Sequence, residues 1–153
     1  MDRIDRSILA CLQQDASLSV AEIAERVGLS TTPCWRRIQK LEKDGVILRR
    51  VALLDAAKLN CGVTVFVRLR TSAHNYDWLT KFSKAVERME EVVEFYRMSG
   101  DIDYLLRIVV PDIASYDAVY KRLIKAADFV EVSSSFALEE IKNTTALPLR
   151  YAD

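Results

Sequence analysis

The apolar residues of this chain recur with one period up to Gly45 and with another from Val63 onward, so no single regular element accommodates both halves. Before Gly45 the spacing is helical. Ile4, Ile8, Leu9 and Leu12 mark one face of a helix over residues 3–14, with Asp2 placed to cap it, and Asp15, Ala16 and Ser17 break the pattern. Ser19 and Glu22 then have the spacing of a capping box, in which each side chain accepts the other residue's backbone N–H. A second helix is therefore expected over about Val20–Val27, burying Val20, Ile23, Ala24 and Val27, and Gly28 supplies the left-handed turn after it.

The next stretch, LSTTPCWRRIQKLEKDG over Leu29–Gly45, carries a third helix. Ser30 or Thr32 can cap it, Pro33 suits its first turn and Gly45 ends it. Cys34, Ile38 and Leu41 form its one apolar stripe. Trp35 lies just beside that stripe and is expected to pack rather than to stack on a sugar or base. The remaining faces carry Ser30, Thr31, Thr32, Arg36, Arg37, Gln39, Lys40 and Lys43. These are donors for phosphate oxygens, and arginine and glutamine also make paired contacts to guanine and adenine edges. A helix, a glycine turn and a helix with a cationic outer face form a helix-turn-helix, here preceded by a supporting helix.

Charge supports that reading only locally. The formal net charge is zero, so no global field draws the chain to nucleic acid. Between Ser30 and Arg50, however, six basic residues face two acidic ones, a patch suited to salt-sensitive phosphate binding. Three widely spaced cysteines, Cys11, Cys34 and Cys61, offer neither a disulfide framework nor paired metal-ligand spacing, and read as reduced core thiols of a cytoplasmic protein. No apolar run is long enough for a bilayer, and the charged start MDRIDR is not a signal peptide.

After Gly45, VILRRVALLD has strand propensity and carries Arg49 and Arg50. It fits either a short ribbon beside DNA, as in a winged variant, or a linker strand that pairs with another subunit. Asp55–Asn60 reads as a turn or short helical piece, and Gly62 as the entrance to a second domain. From Val63, Val65, Val67 and Leu69 alternate with Thr64, Phe66, Arg68 and Arg70, which is a strand. A helix over 75–89, a strand over Val92–Met98, a turn at Ser99–Ile102 and a strand over Asp103–Val110 follow. Pro111 and Asp112 then start a helix with Ile113, Tyr116, Val119, Tyr120, Leu123 and Ile124 inward, and Val130–Leu138 closes the series as a strand. The order βαββαβ gives a ferredoxin-like sheet with both helices on one face. Both sheet faces read as substantially apolar, so a second sheet is expected on the open one, making at least a dimer.

The segments DRIDRSIL, VAEIAERVGLSTTPCWRRIQKLEKDGVI, SGDIDYLL and EEIKNTTALPL, in this order and over essentially the whole chain, resemble the leucine-responsive and asparagine-type (Lrp/AsnC) family of transcriptional regulators. The resemblance implies an α+β chain. Its parts are an N-terminal winged-type helix-turn-helix domain over 1–45, a hinge strand and linker over 46–62, a ferredoxin-like βαββαβ effector-binding and oligomerisation domain over 63–140, and a C-terminal tail over 141–153. It also implies double-stranded DNA as partner, a homodimer that assembles further, commonly into an octamer, and an amino acid or related metabolite as effector. The tail, with Leu147, Pro148 and Leu149, is then expected against neighbouring subunits.

On its residues alone the hairpin is a tight turn with solvated aspartates, or a nest of backbone donors at Gly100 beside the carboxylates of Asp101 and Asp103, a match for a zwitterion. The resemblance favours the second, because family members bind effectors near this hairpin at the contact between dimers. Met98, Ile102 and Tyr104 would supply apolar selectivity. Ser133, Ser134 and Ser135 either line the same pocket or give polarity to an edge strand.

Some relatives of this family decarboxylate a tetrapyrrole with histidine and basic side chains. This sequence has one histidine, His74, read as a solvated loop residue, and no nucleophile motif, phosphate-cradling glycine loop or metal-ligand spacing. A decarboxylase and a ligand-independent DNA-binding regulator are the alternatives; no enzyme and no cofactor are expected.

Overall fold

The structure, a computed structural model, describes residues 1–152. It divides into two compact units, residues 1–53 together with 142–153, and residues 54–141. The first unit holds α1 (Arg3–Gln14), α2 (Val20–Val27) and α3 (Thr31–Lys43). Both expected N-caps of the first two helices form. Asp2 accepts the N–H of Asp5 at 2.8 Å while Asp5 accepts that of Asp2 at 3.3 Å, and Ser19 and Glu22 exchange bonds of 3.3 and 2.7 Å in the same way. Gly28 (φ +70°) and Gly45 (φ +72°) close α2 and α3 alike: the residue after each glycine returns its N–H to a carbonyl five positions back, Leu29 to Ala24 and Val46 to Leu41, at 2.9 Å each. Ile8, Leu9, Leu18, Ile23, Ala24, Cys34, Ile38 and Leu41 are buried together, with Ile4, Leu12, Val20 and Val27 packed around them.

Between Val46 and Gly62 no strand pairs within the chain, so of the two arrangements expected there the ribbon beside the helices is not formed. A strand requires a neighbour for its N–H and C=O groups, and the first unit contains no strand among its described residues to provide one. Leu48, Val51, Leu53 and Leu54 are left exposed. The turn over Asp55–Asn60 is present, since the Asp55 carboxylate accepts the N–H groups of Ala57 and Lys58 and Asn60 closes it at φ +57°.

The tail returns to its own chain. The Gln13 amide donates to the Leu147 carbonyl at 3.2 Å and accepts the Leu147 N–H at 2.6 Å, Arg6 donates to the Ala152 carbonyl at 3.0 Å, and Leu149 packs on the helical core. The side chain of Gln13 thereby satisfies both backbone groups of one extended residue of the tail.

The second unit contains β1 (Val63–Arg70), α4 (Tyr76–Val86), β2 (Val92–Arg97), β3 (Tyr104–Val110), α5 (Ile113–Ala126) and β4 (Glu131–Phe136). The strands are ordered β2-β3-β1-β4 and every neighbouring pair is antiparallel. Val65, Val67, Leu69, Tyr104, Leu106, Ile108 and Val110 point to the face that α4 and α5 cover with Phe82, Val86, Tyr116, Val119 and Leu123. Two residues expected inside are outside: Ile113 is 70% exposed and Ile124 44%, since the buried stripe of α5 runs through Tyr116, Val119 and Leu123. The first helix ends at Val86 rather than at Met89, which is buried in the turn that follows.

The open sheet face is less apolar than expected. Register puts Phe66 beside Arg107 and Ser135, and Arg68 beside Leu105 and Ser133. Ion pairs lace it, Arg107 to Glu94 at 2.7 Å and Arg70 to Glu131 at 3.2 Å, with Arg68 donating to Ser133 at 3.0 Å.

Candidate nucleic-acid interface

The outward face of α3 is built by its buried stripe. With Cys34, Ile38 and Leu41 held against α1 and α2, the residues Thr31, Thr32, Trp35, Arg36, Gln39, Lys40 and Lys43 are all exposed. Burial in this apolar contact pushes the Cys34 thiol up from its ordinary pKa, so it stays a thiol. The start of α3 differs from those of α1 and α2. Ser30 occupies the N-cap, but its side chain makes no cap bond, and neither does that of Thr32. Pro33 has no N–H, so the backbone donors of Thr31 and Thr32 are the ones left facing outward at a helix N-terminus, where an anion is favoured.

The cations of this helix separate into two groups. Arg37 sits between Cys34 and Leu41 on the helix, so it turns inward, and its guanidinium bonds Asp2 at 2.6 Å and Asp5 at 2.7 Å. Those carboxylates, Asp5 before Asp2, raise the arginine's pKa; the Asp5 N–H and then Arg37 hold Asp2 below the ordinary carboxylate range. Arg37 therefore ties α3 to the first turn of α1, and this explains its place better than the phosphate contact expected of it. Arg36, Lys40 and Lys43 make no ion pair among the described residues and project outward. Gln39 donates to Glu42 at 3.1 Å, and Glu42 also accepts from Arg50 at 3.1 Å; both contacts are exposed and exchange readily for a stronger partner.

Trp35 is the residue that the sequence reading misplaced. Half exposed at 50%, it stands one turn from Thr31 and one from Gln39 rather than in the core. The signal was its spacing: position 35 repeats with 31 and 39, not with the stripe at 34, 38 and 41.

At the hairpin, Gly100 takes φ +104° and the Met98 N–H donates to the Asp103 carbonyl at 2.8 Å. Asp101 is exposed and without an ion pair among the described residues, whereas Asp103 is engaged: its carboxylate accepts the Thr71 N–H at 2.8 Å and lies 3.7 Å from His74 Nδ1. His74 is 61% exposed in its loop. Met98 is exposed and Ile102 half-buried, but Tyr104 is buried in the core, its ring stacked on Trp78 at 5.5 Å between centroids. The serine run is split by strand alternation. Ser133 and Ser135 lie on the open face, while Ser134 turns under the helices to bond the Tyr116 hydroxyl. Burial raises the Tyr116 pKa and the Ser134 bond offsets part of that rise. Across β1, Val132 rather than a serine stands level with Tyr104, so the run steps away from the hairpin. Of the expected effector residues the fold thus gathers Met98, Gly100, Asp101, Ile102 and Asp103, and sends Tyr104 and Ser134 inward. No cluster of metal-ligating side chains occurs among the described residues.

Comparison with known proteins finds two family models that match this chain. Residues 1–47 match a winged helix-turn-helix DNA-binding model, and residues 64–147 match the Lrp/AsnC ligand binding domain. The DNA-binding transcriptional activator DecR of Escherichia coli K12 is 48% identical over 150 residues, which cover 97% of this chain and 99% of that protein. A crystal structure of an AsnC family transcriptional regulator from Agrobacterium tumefaciens superposes with a TM-score of 0.96 at 64% identity, covering 99% of both chains. A transcriptional regulator from Neisseria meningitidis, solved in complex with L-Met, superposes with a TM-score of 0.92 at 35% identity, covering 97% of each.

Proposed function

The chain belongs to the Lrp/AsnC family of transcriptional regulators, and from that premise we propose that it binds double-stranded DNA through the outward face of α3 under control of an amino acid or related small metabolite. The observation that carries the first part is the exposed group Thr31, Thr32, Arg36, Lys40 and Lys43 beside unsatisfied backbone donors at the start of the same helix. Phosphates are met by the cations and the N-terminal N–H groups, and base edges by Gln39 once it leaves Glu42. Arg37 positions the helix.

The effector reading rests on the hairpin. The turn at Gly100 presents backbone donors to a carboxylate, Asp101 presents its own carboxylate to an ammonium, and Met98 and Ile102 lie beside them. The L-Met complex of the Neisseria relative supports an amino acid as the ligand class. The open sheet face, with Phe66, Leu105 and Val109 among ion pairs, suits a second copy of the chain, and a homodimer would carry two α3 helices to two half-sites. Higher assembly as an octamer follows the family pattern. An effector acts only through unequal affinity for two states of such an assembly.

The named relatives are regulators, so we read this protein as one also, acting in the cytoplasm rather than as an enzyme. No helix among the described residues is long and apolar enough to cross a membrane. Selection of duplexes from a random library, followed by molar mass and melting temperature with each amino acid, tests the proposal. An enriched duplex and one amino acid that shifts mass or melting support it; no enrichment removes the DNA reading, and no response to any amino acid removes the sensor.

A further inference from the structure

We propose that Trp35 is a base-reading residue that selects thymine by burying its C5-methyl group in the major groove. This rests on α3 being the DNA-reading helix. Its starting point is the contrast between the two tryptophans of the chain. Trp78 is enclosed by Phe82, Tyr104 and Phe129, with ring centroids at 5.2, 5.5 and 5.7 Å. Trp35 is half exposed and has neither a ring partner nor a hydrogen bond among the described residues.

Its surroundings decide what covers it. Its outward neighbours on the helix are hydroxyls, an amide and cations: Thr31, Thr32, Arg36, Gln39 and Lys40. A face of that charge is complementary to phosphate and poorly suited to burial against another apolar protein surface. Trp35 is also the fifth residue of α3, in the N-terminal part from which a recognition helix reaches base edges.

The chemistry of the indole then narrows the base. Indole has one N–H donor and no acceptor, so it cannot make the paired contacts that arginine makes with guanine or glutamine with adenine. What it offers is a broad apolar surface, and the major groove presents one apolar group, the thymine methyl. Arg36 on one side and Thr31 on the other hold the backbone while the ring covers that methyl.

The test is a cycle on a duplex that the protein has itself selected from a random library. Each thymine in turn is replaced by deoxyuridine, which keeps pairing and removes only the methyl, and binding is measured for wild type, Trp35→Ala and Trp35→Phe. The expected result is one thymine in each half-site whose methyl is worth about fourfold in Kd to wild type, the burial of one methyl group. That difference disappears in Trp35→Ala and is partly kept by Trp35→Phe. Equal sensitivity of wild type and Trp35→Ala at every thymine overturns the assignment, as does a lower oligomer mass for Trp35→Ala, which would place the ring in a subunit contact. If no duplex is enriched at all, the DNA-binding reading itself fails; if a duplex is enriched and Arg36→Ala weakens it without any methyl coupling at Trp35, only this inference fails.

Discussion

The starts of α2 and α3 are two versions of one structural problem. At α2, Ser19 and Glu22 satisfy each other's backbone donors, and the helix needs nothing from outside. At α3, Ser30 stands in the same position and forms no cap, Pro33 contributes no donor, and Thr31 and Thr32 face outward. The difference separates a helix that supports from a helix that contacts. One is complete in the folded chain; the other is completed by an anion.

The cations of α3 provide the strongest way to break this comparison. Replacing Arg36, Lys40 and Lys43 together by alanine should lower affinity for a selected duplex at least about a hundredfold and reduce the slope of log K against log salt by about 2.7 for each α3 helix engaged, roughly 5.4 for a dimer on two half-sites, as for three lost phosphate contacts per helix. Melting and the response to amino acids should not change. Filter binding across a salt series reads the slope directly, and an unchanged slope would remove these residues from the interface.

A smaller effect sharpens the contrast between the two caps. Ser19→Ala should cost about 1 kcal/mol of stability, while Ser30→Ala should cost only a few tenths, because no bond is lost there. Denaturant unfolding of the two variants decides it, and equal losses would mean that both serines cap.

The same logic applies to the serines of β4. Ser134→Ala removes the partner of the hydroxyl of buried Tyr116 and should destabilise by about 1 kcal/mol, against little change for Ser135→Ala on the exposed face. Thermal melting of the pair checks the assignment of faces.

The smallest effect is a dependence on acid. Glu22 is held below its ordinary pKa first by the Ser19 hydroxyl and then by the Ser19 N–H, and Asp2 is lowered by the Asp5 N–H and Arg37. The folded chain therefore binds these protons less readily than the unfolded chain. Their contribution is complete above the ordinary carboxylate range and is lost as pH falls from about 5 through the lowered folded values. Glu22→Gln should flatten that loss between pH 6 and pH 3 in unfolding experiments. An unaltered profile would show that the box does not hold the carboxylate in solution.

What the sequence made legible follows the range of each interaction. The Ser19/Glu22 capping box, the Asp2 cap, the two glycine turns, most of the helical stripes and the alternating strands depend on residues within a few positions of one another and were readable, while Asp5 as partner of Asp2 and the outward turn of Ile113 and Ile124 on α5 were not. The βαββαβ order followed from period alone. The partners of Arg37 were not readable, because Asp2 and Asp5 come from another helix; only its place between Cys34 and Leu41 hinted that it turns inward. The docking of Leu147 on Gln13 is likewise a contact across most of the chain. The segment 46–62 has strand propensity without a strand, since propensity does not supply a neighbour. The serine run misled for a different reason: identical residues in a strand still alternate between faces, and Ser134 was bound to leave the side of Ser133 and Ser135.

The most direct measurement sets Arg36→Ala against Arg37→Ala on one selected duplex, with binding across a salt series and melting recorded for both. Arg36→Ala should lower affinity and the salt slope with melting unchanged, whereas Arg37→Ala should lower the melting temperature and leave the slope near that of wild type. A reduced slope with unchanged melting for Arg37→Ala would contradict this, because Arg37 would then contact phosphate rather than hold the helix in place.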